Sequence, residues 1–183
     1  MQQLNWLFLR RRLAAIKIVV LDVDGVLTDG GLWHGPHAEL IKRFDVRDGL
    51  GIKLMQQAGL EVAFLSGGLG GATEIRAQQL GIRHCLVGVK DKRAALSRLL
   101  QQMGFQSVDL VFVGDDLNDL ATCEVAGLLI ATADAAEPLR RRAGAVLSRP
   151  GGNGAVRELA ERLLKARGLW GEICQQGWND RNE

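Results

Sequence analysis

The feature that most constrains this chain is the stretch VVLDVDGVLTDG, which occupies residues 19–30. An apolar run rich in β-branched residues ends there in Asp22 and Asp24, one residue apart, and Gly25 follows. A continuous apolar run of this kind predicts a strand that is buried on both faces of a sheet. Because an uncompensated carboxylate is costly to bury, the two acids at the end of this strand need a partner.

Segments that predict strands alternate with segments that predict helices along most of the chain. The predicted strands are 16–21, 61–65, 84–87, 110–113, 128–131 and 145–147. The predicted helices are 49–58, 73–80, 92–103, 117–126 and 155–166. This order predicts an α/β fold, in which a parallel sheet is covered by helices on both faces.

Three segments fall outside the alternation. Residues 28–44 hold two short runs around a Gly35-Pro36 turn, which predicts an inserted β-hairpin. Residues 1–14 predict a helical extension, and residues 169–183, which lack periodicity, predict an extended or mobile tail. Since no insertion is large enough for a lid, we expect residues 1–183 to form one domain without a separate cap.

Composition narrows the functional classes. A net charge of +2 on 183 residues gives no electrostatic reason to expect a nucleic-acid partner. No apolar run approaches the roughly 20 residues that span a bilayer, and the arginines at 10–12 follow an apolar run instead of preceding it, unlike those of a signal peptide. The three scattered cysteines indicate free thiols. We therefore expect a cytoplasmic protein without a membrane partner.

Polar residues cluster where the predicted strands end, which is the edge at which open α/β sheets bind ligands. The clusters are Asp22, Asp24 and Gly25; Ser66 and Gly67; Lys92; and Asp115, Asp116 and Asp119. Taken singly, each is explained by a turn acid, a helix cap or a solvated lysine. Taken together, the acids form an oxygen site suited to Mg²⁺. The hydroxyl, glycine amides and lysine form an anion site suited to phosphate.

The succession DVDGVLT, a strand-terminal SG, a lysine and GDDLND resembles the haloacid dehalogenase superfamily of phosphatases. The pieces FDVRDGLGIKLM, ADA and GGNGAVRE resemble its compact branch without a cap, whose substrate is 3-deoxy-D-manno-octulosonate 8-phosphate or a nine-carbon analogue. The resemblance covers nearly all of residues 16–165. It implies a Rossmann-like sheet, Mg²⁺-dependent hydrolysis of a sugar phosphate, and a homotetramer in which the hairpins help to close neighbouring sites.

The resemblance implies a role for each matching residue. Asp22 is implied to be the nucleophile that forms an aspartyl-phosphate. Asp24 is implied to be the general acid and then the base, with its backbone carbonyl on Mg²⁺. The remaining matches are Ser66, Gly67 and Lys92 for the phosphoryl group, Asp115 for the metal, and Asp116, Asp119 and Gly25 in support. These roles suit phosphoryl transfer, which mainly requires alignment and charge neutralisation.

The match departs from the family pattern at one position. A cation is expected directly after the strand-terminal SG, and Gly68 stands there instead. The basic residues available to replace it toward the substrate are Lys42, Arg47, Arg76 and Arg157. The departure leaves open a nine-carbon ulosonate or another small phosphate as the substrate. Phosphoryl transfer to an acceptor needs a lid that the chain lacks, and a non-catalytic partner protein is expected to have lost some of the acids.

Overall fold

The structure is a computed structural model that describes residues 2–37 and 40–177. Its centre is a six-stranded parallel sheet with the strand order β5-β4-β1-β6-β7-β8. The strands of this sheet are β1 (Ile18–Leu21), β4 (Glu61–Leu65), β5 (His84–Leu86), β6 (Leu110–Gly114), β7 (Leu128–Ala131) and β8 (Ala145–Val146). A separate antiparallel hairpin pairs β2 (Trp33–His34) with β3 (Leu40–Ile41).

Helices cover both faces of the sheet, as the alternation predicts. The α-helices are α1 (Gln2–Ala15), α2 (Val46–Gln57), α3 (Ala72–Leu80), α4 (Lys92–Met103), α5 (Glu137–Arg142), α6 (Ala155–Ala166) and α7 (Trp170–Gln176). Two 3-10 helices span Ser107–Asp109 and Leu117–Glu124. None of the helices in the described ranges is long and apolar enough to cross a bilayer.

Strand β1 lies between β4 and β6 and divides the core in two. Val19 and Leu21 belong to one apolar cluster, which side chains of α1, α2, α3 and α6 complete. Ile18 and Val20 belong to a second cluster on the opposite face, together with side chains of α4 and α5. Successive side chains of a strand point to opposite faces, so both faces of β1 are covered and its sequence is apolar throughout. The predicted fold class is confirmed.

The structure shifts several predicted element boundaries. Helix α2 begins at Val46, before the predicted start at residue 49, because the Asp45 carboxylate accepts a hydrogen bond from the Arg47 amide at 2.7 Å and caps the helix. The predicted helix 117–126 is a 3-10 helix over Leu117–Glu124, and the short α5 was not predicted. The predicted strand 16–21 pairs only from Ile18.

The prediction of an extended or mobile tail over residues 169–183 is wrong for Trp170–Gln176, which form α7. Trp170 anchors this helix, because its ring lies 5.5 Å from the Arg157 guanidinium carbon and 5.4 Å from Lys165 Nζ. Such cation–π contacts leave no periodic pattern in the sequence. Residues 178–183 of the predicted tail lie outside the described residues.

Helices α2 and α6 pack closely through a buried carboxylate. Asp48 on α2 is 1% exposed, and its two oxygens accept hydrogen bonds from the amides of Gly154 (3.2 Å) and Arg157 (2.8 Å). Asp48 therefore caps the N-terminus of α6, although burial raises its pKa above the ordinary value. Gly51 permits the close approach, since a Cβ there would lie 2.9 Å from Arg157 Cα.

Replacing Asp48 with alanine is expected to lower the free energy of unfolding by about 1–3 kcal/mol, because two buried amides lose their acceptor. Chemical denaturation followed by circular dichroism measures the change. Glu172→Ala, which removes a carboxylate from the exposed face of α7, is the matched control. A loss of stability that is no larger for Asp48→Ala than for Glu172→Ala contradicts the capping role.

Candidate active site

The sheet order brings three of the polar clusters side by side. Asp22 follows β1, Ser66 follows β4 and Asp115 follows β6, and these three strands are neighbours. The strand order reverses at β1, so the carboxyl end of β1 is the crevice at which open α/β sheets bind ligands. A cavity of about 240 Å³ opens there, lined by Asp22, Asp24, Gly67, Gly68, Asp115, Asp116 and Asn118.

Three carboxylates meet at this edge. One oxygen each from Asp22, Asp115 and Asp119 lies within 4.8 Å of the others. The GDDLND turn holds the set in place, because an oxygen of Asp119 accepts the Asp115 amide at 3.0 Å. Gly25 admits Asp115, since its φ of 92° is in the left-handed region and a Cβ there would overlap the Asp115 carboxylate.

Lys92 joins two of these acids to the first turn of α4. Its Nζ lies 2.9 Å from Asp22 Oδ1 and 2.6 Å from Asp119 Oδ1, and its side chain is 2% exposed. Burial alone would lower the pKa of Lys92, but the charges of Asp22 and Asp119 raise it above its ordinary value. Lys92 therefore stays an ammonium group in direct contact with the candidate nucleophile.

The charges of the cluster do not balance with Lys92 alone. Burial, with a contribution from Asp119, raises the pKa of Asp22 to about 6. Burial, with contributions from Asp22 and Asp119, raises the pKa of Asp115 to about 8. Asp115 Oδ1 is buried and has no hydrogen-bond partner among the described residues. A divalent cation bound by oxygen ligands removes this conflict, so the donor set fits Mg²⁺.

The loop after β4 contributes a hydroxyl and backbone amides. Ser66 is fully buried, and its Oγ accepts a hydrogen bond from the Gly68 amide at 3.1 Å and lies 3.5 Å from Asp24 Oδ2. The Gly68 carbonyl in turn accepts the Gly88 amide at 2.7 Å, which fixes the loop against the segment after β5. Gly67 and Gly68 thus bring bare backbone to the cavity, as close contact with an anion requires.

Asp24 stands apart from the three-carboxylate cluster. Its carboxylate contacts Lys42, whose Nζ lies 2.8 Å from Asp24 Oδ2. The expectation that the Asp24 carbonyl holds the metal therefore stays a prediction. Asp116 lines the cavity and also caps a 3-10 helix through the Leu117 amide at 2.7 Å.

The three arginines predicted to contact substrate lie elsewhere in the described part of the chain. Arg76 stacks over Phe44, with 5.7 Å from its guanidinium carbon to the ring centre. Arg47 pairs with Asp45 at 2.7 Å, and Arg157 pairs with Glu161 at 3.0 Å. Arg47 and Arg157 line a different cleft. Their contact with substrate stays a prediction.

Two cavity features were not assigned from the sequence. Asn118 lines the cavity, and its position in GDDLND between Asp115 and Asp119 was the available signal. Lys42 was expected only as one of four basic residues available to the substrate. The residues around it in the sequence do not show that the hairpin returns to Asp24.

The loop that contains the GGNG segment packs against the loop that follows β1. Gly151 belongs to the GGNG segment, and a Cβ at this position would overlap the Gly25 carbonyl oxygen. The Gly151 amide donates to Asp134 Oδ1 at 3.0 Å, and the Gly152 amide donates to the Val26 carbonyl at 2.9 Å. The loop that carries the candidate nucleophile is therefore held backbone to backbone.

Comparison with known proteins agrees with this geometry. A family model described as haloacid dehalogenase-like hydrolase matches residues 85–159. The chain is 40% identical over 160 residues to the 3-deoxy-D-manno-octulosonate 8-phosphate phosphatase of Haemophilus influenzae, covering 87% of this chain and 89% of that protein. It is 42% identical over 161 residues to the Escherichia coli phosphatase of the same name, covering 88% and 86%.

Solved structures agree as well. A 3-deoxy-D-manno-octulosonate 8-phosphate phosphatase from Moraxella catarrhalis, in complex with a magnesium ion, a phosphate ion and KDO, superposes with a TM-score of 0.90 at 33% identity, covering 93% of this chain and 98% of that chain. The cobalt-bound Haemophilus influenzae phosphatase superposes with a TM-score of 0.84 at 40% identity, covering 87% and 93%. The chain therefore belongs to the haloacid dehalogenase-like hydrolases, within the family of 3-deoxy-D-manno-octulosonate 8-phosphate phosphatases.

Proposed function

We propose that this chain hydrolyses 3-deoxy-D-manno-octulosonate 8-phosphate to the free sugar acid and phosphate, with Mg²⁺ as its cofactor. The observation that carries the proposal is the buried contact of Asp22 with Lys92 beside Asp115 and Asp119. An anionic nucleophile, a fixed ammonium group and a site for a divalent cation are what attack on a phosphate dianion requires. The family of the chain supports the substrate.

In the proposed reaction, an Asp22 oxygen attacks phosphorus and the ester bond to the sugar oxygen breaks. Protonated Asp24 gives its proton to that oxygen, and the sugar leaves as an alcohol. Asp24 then takes a proton from water, and the hydroxide attacks phosphorus and releases phosphate from Asp22. Both side chains line one cavity, although the chain bends at Val23 and turns from Asp24.

The remaining residues bind and orient the phosphoryl group. We place the Ser66 hydroxyl, the Gly67 amide and Lys92 on its oxygens, where Lys92 also reduces the repulsion between Asp22 and the phosphate. Asp22, Asp115 and the Asp24 carbonyl would hold Mg²⁺, and the position of Asp119 adds a third carboxylate to that set. When bound, Mg²⁺ neutralises charge on the nucleophile and the phosphate.

Gly68 favours a second candidate substrate. A glycine in place of a long cation leaves the cavity wall without a side chain there. A nine-carbon ulosonate 9-phosphate is the alternative that the missing cation leaves open.

We also propose that residues 1–183 act as one domain without a cap and assemble as a homotetramer in the cytoplasm. The support for assembly is the hairpin, where Leu32, Trp33 and Ile41 are 51%, 68% and 58% exposed. Large apolar side chains grouped on a surface are typical of protein interfaces. The three free cysteines suit a reducing compartment.

The catalytic proposal predicts that Asp22→Asn lowers phosphate release by roughly 10³-fold or more, because the nucleophile is lost. Release of inorganic phosphate is measured with Mg²⁺ on eight-carbon and nine-carbon sugar acid phosphates and on a generic phosphomonoester. Glu137→Gln, at an exposed ion pair, is the control. Wild type without turnover contradicts the phosphatase assignment, and equal rates on all three esters contradict only the eight-carbon substrate.

The raised pKa values predict that Mg²⁺ binding depends on pH. Asp22 and Asp115, with pKa values of about 6 and about 8, must lose protons to bind the cation. The rise in melting temperature on adding Mg²⁺ should therefore be small at pH 5.5 and grow up to pH 8.5. Asp115→Asn should remove most of this rise. A rise that is independent of pH contradicts the assignment of these acids as metal ligands.

The hairpin predicts an oligomer that a single charge disrupts. Light scattering should give a mass of about 80 kDa for wild type, four copies of 19.9 kDa. Trp33→Glu should give a smaller species, because a buried charge at an interface is costly. Leu7→Glu, at a residue 70% exposed on α1, should leave the mass unchanged. A monomeric wild type contradicts the assembly, and dissociation by both variants contradicts the hairpin as its site.

A further inference from the structure

Lys42 links the hairpin to the proposed catalytic site through its contact with Asp24. It directly follows β3, and its side chain is 1% exposed although the strand before it lies at the surface. Its Nζ lies 2.8 Å from each carboxylate oxygen of Asp24 and donates to Thr73 Oγ1 at 3.2 Å. Thr73 is itself buried on α3. The ammonium group is therefore fixed from two sides: it donates a hydrogen bond to Asp24 Oδ2, and Oδ1 of the same carboxylate lies in ion-pair contact with it.

The glycine that replaces the expected cation lies against the same pair. A Cβ at Gly68 would lie 2.9 Å from Asp24 Oδ2, 3.3 Å from Ser66 Oγ and 3.5 Å from Lys42 Nζ. Real Cβ atoms essentially never lie as close to another heavy atom as the first distance, so even a methyl group would displace the Asp24 carboxylate. The contact between Lys42 and Asp24 thus depends on the absence of a side chain at position 68.

We propose that Lys42 is a positioning residue that orients the Asp24 carboxyl group for both of its proton transfers. The proposal rests on the proposed function, because it assigns Asp24 the acid and base steps. It divides the two buried lysines between the two acids: Lys92 contacts Asp22, the nucleophile, and Lys42 contacts Asp24, the proton carrier. The hydrogen bond to Oδ2, together with the ion-pair contact to Oδ1, limits rotation of the carboxyl group and keeps it on the side of the leaving oxygen.

If Lys42 orients Asp24 and not the nucleophile, the loss of activity in a Lys42 variant should depend on the leaving group of the substrate. An alkyl phosphate needs a proton on the departing oxygen, whereas 4-nitrophenolate leaves without one. In Lys42→Met, kcat/KM for the sugar phosphate should fall roughly 10- to 100-fold, part of the 10²- to 10⁴-fold that general acid catalysis contributes. The value for 4-nitrophenyl phosphate should change by less than about threefold, since kcat/KM reports steps up to departure of the leaving group.

The second proton transfer gives an independent measurement. Hydrolysis of the aspartyl-phosphate needs Asp24 as base for every substrate. Lys42→Met should therefore release one equivalent of 4-nitrophenolate per active site in a burst, followed by slow turnover. Lys42→Gln, which keeps a hydrogen-bond donor, should recover part of the loss. Gly68→Ala, which leaves Lys42 intact but crowds Asp24, should reproduce the same preference for the activated ester.

The controls distinguish the positioning role of Lys42 from the proposed phosphatase function on which it rests. Lys17→Met removes a lysine that is 60% exposed and pairs with Asp109 away from the cavity, and it should act as wild type. The melting temperature of each variant confirms that it is folded. Equal losses on both esters place Lys42 on the phosphate and overturn the positioning role, as does an unchanged Lys42→Met. If wild type cleaves neither ester, the proposed function fails, and the role of Lys42 fails with it.

Discussion

The structure depends on how it compensates for carboxylates buried at the end of its central strand. Removing one partner from a buried ion pair costs about 3–5 kcal/mol, because the other charge is left unpaired. Lys92 meets this requirement for Asp22 and Asp119 through contacts of 2.9 and 2.6 Å. Asp115, with a buried oxygen that lacks a protein partner and a raised pKa, marks where a cation belongs. Sheet order, the GDDLND turn and the first turn of α4 all position parts of this one cluster.

Much of this arrangement was predictable because it follows from strand ends. Parallel strands present their carboxyl ends at one edge, so polar residues directly after β1, β4 and β6 had to meet. Lys42 was harder to place, since its contact with Asp24 depends on where the hairpin returns, and no local pattern encodes that direction. Helix α7 was missed for a related reason. It is held by Trp170 against basic residues of α6, and such contacts have no period.

The basic residues near the site fall into two groups that composition does not separate. Lys42 and Lys92 are buried and contact acids of the cavity. Arg47 and Arg157 lie on α2 and α6, where each pairs with a neighbouring carboxylate outside the cavity. A lysine suits the first task because its ammonium is a compact charge that reaches carboxylate oxygens from a slender stem. The cations that contact the acids of the cavity are thus the ones that the fold buries.

The contact between Gly25 and Gly151 has a consequence for how this site can vary. The atoms nearest to a Cβ at Gly151 are backbone atoms of Gly25 and Thr28, which cannot change in size to absorb a shift. A substitution at Gly151 forces the loops apart, and one at Gly25 displaces the Asp115 carboxylate, so either change moves acids at the end of β1 or β6. Variation in substrate choice is therefore expected to enter where side chains outside the acid cluster line the cavity, as Asn118 does. The catalytic centre and the specificity surface can thus change at different rates.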